Sequence, residues 1–339
     1  MKKNIPFVTL LCGFAILVAG ALTMSSCSNN DDVDATESCT LCHNDEVVLF
    51  AKQQQTESSH HLKGGNYDRS HADCAICHTH QGFIETLESG ALEASADILN
   101  PAAINCRTCH KIHTDFEASD WDLVSETPVV LDFGEGTIDI GTGNLCVNCH
   151  QFRPISPMPV MGGGDVTITS SRWGPHYGAQ GNMIWGVGGY QIAGSKSYPA
   201  AGSAGHVEAG CNTCHMAAQP YSATASGGHT FNMTDGPDGS ENFEACVSCH
   251  STLEDFDYNG IQTKVDELLT ELETIFIEKG YISEPGGLWK ASSSSPIVVS
   301  ADEAGAMLNF KIVTYDHSKG IHNPAYMIAL LTNSLESLQ

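Results

Sequence analysis

Beyond Cys27 the sequence has no cysteine outside a repeated five-residue motif, which excludes a structural disulfide framework for the body of the chain. Aromatic residues are scarce at 7%, against 33 glycines, and this argues against an ordinary large apolar core. Basic residues are few, 15 against 40 acidic ones, and the formal net charge of -25 is spread along the chain. No basic stripe exists to hold nucleic acid. Long hydrophobic runs are absent apart from one near the N-terminus, from Ile5 to Leu22.

That run follows Lys2 and Lys3 and leads into the small residues Ser25 and Ser26, the layout of a secretory signal peptide over residues 1–26. A permanent membrane anchor is the alternative, since the run is just long enough to span. Met24-Ser25-Ser26-Cys27 resembles the lipidation site of bacterial lipoproteins, with Met24 where those prefer leucine. Residues 27–38 then read as a polar, acidic tether that would hold a lipidated chain off a membrane. The expected location is the outer membrane or cell surface, with the periplasm or exterior as alternatives.

Twelve of the 14 cysteines fall in six copies of Cys-x-x-Cys-His. They are Cys39-Thr40-Leu41-Cys42-His43, Cys74-Ala75-Ile76-Cys77-His78, Cys106-Arg107-Thr108-Cys109-His110, Cys146-Val147-Asn148-Cys149-His150, Cys211-Asn212-Thr213-Cys214-His215 and Cys246-Val247-Ser248-Cys249-His250. The spacing has a mechanical meaning. Two cysteines on one short helical turn reach the two vinyl groups of a porphyrin, and the adjacent histidine lies under the iron. Zinc knuckles do not require a histidine after each second cysteine. Thioredoxin-like motifs occur singly beside a βαβ pattern, and disulfides leave the six histidines unexplained. Six covalently attached haems c are therefore expected. Export agrees with this, because such attachment takes place outside the cytoplasmic membrane.

An electron-transfer haem has two strong axial ligands. Ten histidines lie outside the motifs: His60, His61, His71, His80, His113, His176, His206, His229, His317 and His322. Six are needed if every iron is bis-histidine, so supply exceeds demand. Met158, Met161, Met183, Met216 and Met233 are alternative sulfur ligands.

The segments Cys106-Arg107-Thr108-Cys109-His110-Lys111-Ile112-His113, Gly174-Pro175-His176-Tyr177, His206 ahead of Cys211, His215-Met216, Gly227-Gly228-His229-Thr230-Phe231 and Gly320-Ile321-His322-Asn323-Pro324 carry a resemblance. They resemble the multihaem cytochromes c related to the haem-based nitrite reductases, the electron-transfer members in particular, from about Cys39 to the C-terminus. The resemblance implies distal ligands at His113, His176, His206, His229 and His322, with His61 as the sixth and His71 or His80 as its possible replacements. The nitrite reductases have one haem motif ending in lysine, with an open distal side. All six motifs here end in histidine, so the enzymatic residue is missing.

The expected fold is mainly α with extensive loops, organised around haems, with a short β-hairpin and a helical C-terminal region. Residues 39–260 would form the haem-binding region and 261–339 the C-terminal helical region carrying the last distal ligand. A short helix is expected around Phe83 to Leu99, a hairpin within 121–145, and a long amphipathic helix from Ile261 to Lys279. A second helix near Asp302 to Tyr315 would pair with it, and the last helix would start at Asn323-Pro324. With roughly fifty residues per motif, the porphyrins would supply much of the interior, and the fold would collapse without them.

The function expected is electron transfer through six haems at the cell envelope or surface, with an extracellular acceptor as a candidate destination. A haem-dependent reductase of a nitrogen or sulfur oxyanion is the alternative. Expected partners are other redox proteins or cytochromes, with the acidic surface suited to a basic one. Further partners are a membrane reached through lipid on Cys27 and further copies of the chain in a filament.

Overall fold

The computed structural model describes residues 47–132, 136–218, 225–235 and 239–339. The leader, Cys27, the tether, the first motif and the connector 133–135 of the expected hairpin lie outside the described residues.

Among the described residues ten α-helices follow one another: α1 Val47–Ser58, α2 Ala72–His78, α3 His80–Ser89, α4 Cys106–Cys109, α5 Asn144–Val147, α6 Gln180–Trp185, α7 Gly205–His215, α8 Ile261–Glu278, α9 Ala301–Asp316 and α10 Pro324–Leu338. Six short strands make three antiparallel pairs: β1 Val129–Val130 with β2 Thr137–Ile138, β3 Val166–Ile168 with β6 Ile297–Val299, and β4 Thr234–Asp235 with β5 Ser240–Glu241. The class is mainly α with long loops.

The C-terminal helices follow the sequence closely. On α8 the apolar face expected from the periodicity buries Val265, Leu268, Leu272 and Phe276. Helix α9 starts at Ser300, whose hydroxyl accepts the Glu303 N–H at 3.2 Å. Helix α10 starts at Asn323, whose side-chain oxygen accepts the Tyr326 N–H at 3.2 Å, with Pro324 first in the helix. The hairpin is shorter than expected, two residues per strand. Between Phe83 and Leu99 only the first part is helical. Gly90 takes a left-handed conformation (φ 68°) that closes α3, and beyond it Asp97 and Ile98 fold back on the start of α2.

The expectation of little protein core is overturned. Helices α8, α9 and α10 bury a continuous apolar cluster with residues 152–192 and with the β3–β6 pair, including Phe152, Trp173, Leu272, Phe276, Trp289, Met307 and Tyr326. The composition is low in aromatics on average, but Phe152, Trp173, Tyr190, Phe276, Trp289, Phe310 and Tyr326 converge here. A smaller cluster joins Val129, Leu131, Ile138, Ile140, Val147 and Ile184 beside the fourth motif. Among the described residues no helix is long and apolar enough to cross a membrane.

Candidate haem-binding sites

The second to fifth motifs lie within or at the ends of α2, α4, α5 and α7, and the sixth forms a hydrogen-bonded turn. In the third, fourth and sixth, the histidine N–H donates to the carbonyl of the first cysteine at 2.9, 2.9 and 2.8 Å. The turn starts are set locally. Before α2, the Asp97 carboxylate accepts the Ala72 N–H at 3.0 Å. At α4, Asn105 accepts the Arg107 N–H while Thr108 accepts the Asn105 N–H, both at 3.0 Å.

Five of the six distal candidates stand opposite five motif histidines. Ring centroids lie 6.0 Å apart for His61 and His150, 6.3 Å for His78 and His176, 6.2 Å for His110 and His229, 6.2 Å for His206 and His250, and 6.3 Å for His215 and His322. An iron bonded to one imidazole nitrogen on each side, at about 2 Å per bond, holds two ring centroids roughly 6 Å apart. Other ring contacts in the chain range from 4.5 Å (His250–Tyr258) to 6.3 Å (Trp289–Phe310), whereas all five histidine pairs fall between 6.0 and 6.3 Å. The near-constant gap is what a common bridging atom imposes, and it is the observation by which these residues fit haem c.

The ring nitrogens support the fit. Nδ1–H of His78 donates to the Gly64 carbonyl at 3.0 Å, that of His110 to Trp121 at 2.6 Å, and that of His215 to Phe231 at 3.0 Å. His150 donates to Gln180 Oε1 at 3.1 Å and His206 to the Ile321 carbonyl at 2.6 Å. His322 donates to Asp316 Oδ1 at 2.7 Å. Each of these bonds fixes the tautomer and leaves Nε2 as the nitrogen for a metal. Burial pushes most of the paired imidazoles down, His61 and His229 to about 4, so they are neutral and able to donate to a metal. His322 differs: burial acts to lower it, but the charge and hydrogen bond of Asp316 outweigh burial and hold it up.

His113 takes a left-handed backbone (φ 67°), held by Asp120, whose carboxylate accepts the His113 N–H at 2.7 Å and the Asp115 N–H at 2.9 Å. Its ring stacks on Phe116. The motif histidine left over for it, His43, lies outside the described residues. The replacements considered for His61 also bond through Nδ1, His71 to Asp97 and His80 to Thr108 Oγ1, both at 3.0 Å, but among the described residues neither ring pairs with a motif histidine.

The motif turns also touch one another. Cys77 Sγ lies 3.9 Å from the Cys149 carbonyl, and Cys149 Sγ lies 3.7 Å from that of Ile76, so the second and fourth turns are back to back. The fifth turn meets the segment leading into the fourth at Gly143, beside Cys211, and Cys146 and Cys211 interact electrostatically. A β-carbon at Gly143 would come within 3.1 Å of Cys211 Sγ, so glycine eases this approach. Cys109 of the third turn is within electrostatic range of Cys146 and Cys149, and Cys214 of the fifth within range of Cys249 of the sixth. The fourth turn thus neighbours the second, third and fifth, and the fifth leads on to the sixth. Gln180, Asp316 and the carbonyl partners were not singled out from sequence. For Asp316 a local signal existed: in Asp316-His317-Ser318 its carboxylate accepts the Ser318 N–H two residues on, a turn pattern legible in sequence.

No family model matches the chain, and no curated protein matches it. A solved structure, that of the outer cell wall cytochrome OcwA, is similar at 18% identity with a TM-score of 0.48. The match covers 85% of this chain, which spans about half (50%) of that one. At that TM-score the assignment of the sites rests on the geometry above.

Proposed function

We propose that the chain binds six haems c and passes electrons between redox partners at or beyond the cell envelope. The observation that carries this reading is the set of five histidine pairs, each joining a motif histidine to a distant one at the separation a bis-ligated iron requires. His43 and His113 are assigned to the remaining site. When bound, haem c supplies a one-electron iron couple at each site.

The chain's residues then do three things. The cysteines would anchor the haems and the paired imidazoles would hold the irons, which favours electron exchange over substrate binding and argues against an oxyanion reductase. The contacts between motif turns set short separations, with the fourth site as a junction reached from the second, third and fifth. The Nδ1 acceptors fix ring orientation and donor strength. Since five pairs form within one chain, a self-contained ligand set is favoured over one completed by a neighbouring subunit in a filament.

Cys27 is proposed to carry lipid and tether the chain to a membrane. The acidic surface (formal charge -25) suits a basic redox partner or an extracellular acceptor. A pyridine haemochrome assay on protein expressed with its leader should give six haems per chain, with each motif peptide heavier by one haem. Four or fewer haems would refute the six-site reading.

A further inference from the structure

The five histidine pairs share a separation but not an electrostatic setting. At His78, His110, His150, His206 and His215 the group that accepts the Nδ1 proton bond is a neutral carbonyl or amide oxygen. At His322 it is a carboxylate, Asp316 Oδ1 at 2.7 Å. Asp316 is buried, 1% exposed, at the end of α9. Its second oxygen accepts the Ser318 N–H at 3.2 Å and also the Ser318 hydroxyl, which in turn accepts the His322 N–H at 3.2 Å. This loop therefore locks the carboxylate against the ring. The adjoining fourth site offers an internal control: His150 meets Gln180 Oε1, and Gln180 Nε2 donates to the carbonyls of Tyr315 and Asp316 at 3.1 and 3.4 Å. Two neighbouring sites thus hang on the same turn, one through a neutral amide and one through an anion.

We propose that Asp316 is a positioning residue that makes the haem of the fifth motif lower in reduction potential than its neighbour at the fourth. The inference rests on the proposed function. A buried carboxylate bonded to Nδ1–H draws that proton toward itself and leaves Nε2 a stronger donor, and its charge also favours the more positive, oxidised iron. A neutral acceptor does neither to the same degree. The second site is set the opposite way, since the charged side chains acting on His78 and His176 are the guanidiniums of Arg69 and Arg153.

The low site also has a position with consequences. Among the described motifs it lies between the fourth and the sixth. An electron passing from the fourth site to the fifth would climb in energy, so Asp316 would set a step on that route.

The test is spectroelectrochemical titration of the haem-loaded wild type and of Asp316→Asn, with haem content and oxidised spectra recorded on the same samples. Asp316→Asn keeps the shape and removes the charge. The expected result is six low-spin haems in both proteins, with one couple raised by at least a tenfold change in its equilibrium, about 59 mV for one electron. Ser318→Ala, at a less buried residue, removes the hydroxyl that shares the carboxylate's charge and should move the same couple the other way by a smaller amount. Low-spin spectra with titrations of both variants superimposing on the wild type would overturn the role of Asp316 and leave the electron-transfer reading intact. A high-spin iron in the wild type assigned to the fifth motif would overturn both.

Discussion

Two regions of this chain are held together by different means. Residues 152–192 and 261–335 share an apolar core that includes Phe152, Leu272, Phe276, Trp289, Met307 and Tyr326. Residues 47–128, by contrast, bury only Ala75, Phe83 and Ala94 as hydrophobic side chains, and residues 205–260 bury none, among the described residues. Yet these two stretches contain four of the described motifs and His61, His113, His206 and His229. Short helices with so little buried apolar surface do not offset the entropy of ordering their own backbone. On the proposed reading, the histidine pairs between distant segments and the haems they would hold order them. The core region instead supplies a platform, and it presents His322 and Asp316 at the ends of helices with an interior of their own.

The largest expected effect breaks the first region. Cys146→Ala combined with Cys149→Ala removes the attachment at the junction of the described sites. Amide exchange followed by mass spectrometry should show protection lost over residues 47–150 and 205–260, with α8, α9 and α10 keeping much of theirs. Equal loss in both regions would mean that the core does not stand apart from the haem sites.

A smaller effect breaks the second region. Leu272 is fully buried, and Leu272→Ala should destabilise the protein by about 2–5 kcal/mol in denaturant unfolding. Its haem absorption spectrum should match that of the wild type. The smallest effect sharpens the contrast at one cap: Ser300→Ala removes the acceptor of the Glu303 N–H and should cost about 1 kcal/mol, with every reduction potential unchanged.

The same contrast decides what was legible in the sequence. Helices α8 and α10 and the motif turns are written locally, in apolar periodicity, capping residues and fixed spacing, and the structure follows them closely. Helix α3 was overextended because apolar residues continue past Gly90, where a left-handed backbone ends the helix. The β3–β6 pair, three residues on each side and separated by most of the C-terminal half, carries no turn signal that could have announced it. Which distal histidine faces which motif was likewise unreadable, because each pairing is a tertiary contact between distant segments. The protein core was missed for a related reason. Composition averages over the chain and hides the convergence of Trp289, Phe276 and Phe310 on one place.

The central claim, that both axial positions of every iron are filled by histidine from this chain, is tested most directly by low-temperature electron paramagnetic resonance of the oxidised, haem-loaded protein. The angle between two axial imidazole planes sets the splitting of the iron d orbitals and hence the anisotropy of a low-spin signal. The planes are close to perpendicular at His61–His150, His78–His176 and His206–His250 (86°, 79° and 73°) and inclined by 39° and 42° at His110–His229 and His215–His322. Low-spin signals only are expected, integrating to six irons, with a strongly anisotropic class and a more rhombic class both present. A high-spin signal integrating to one iron or more would contradict that claim.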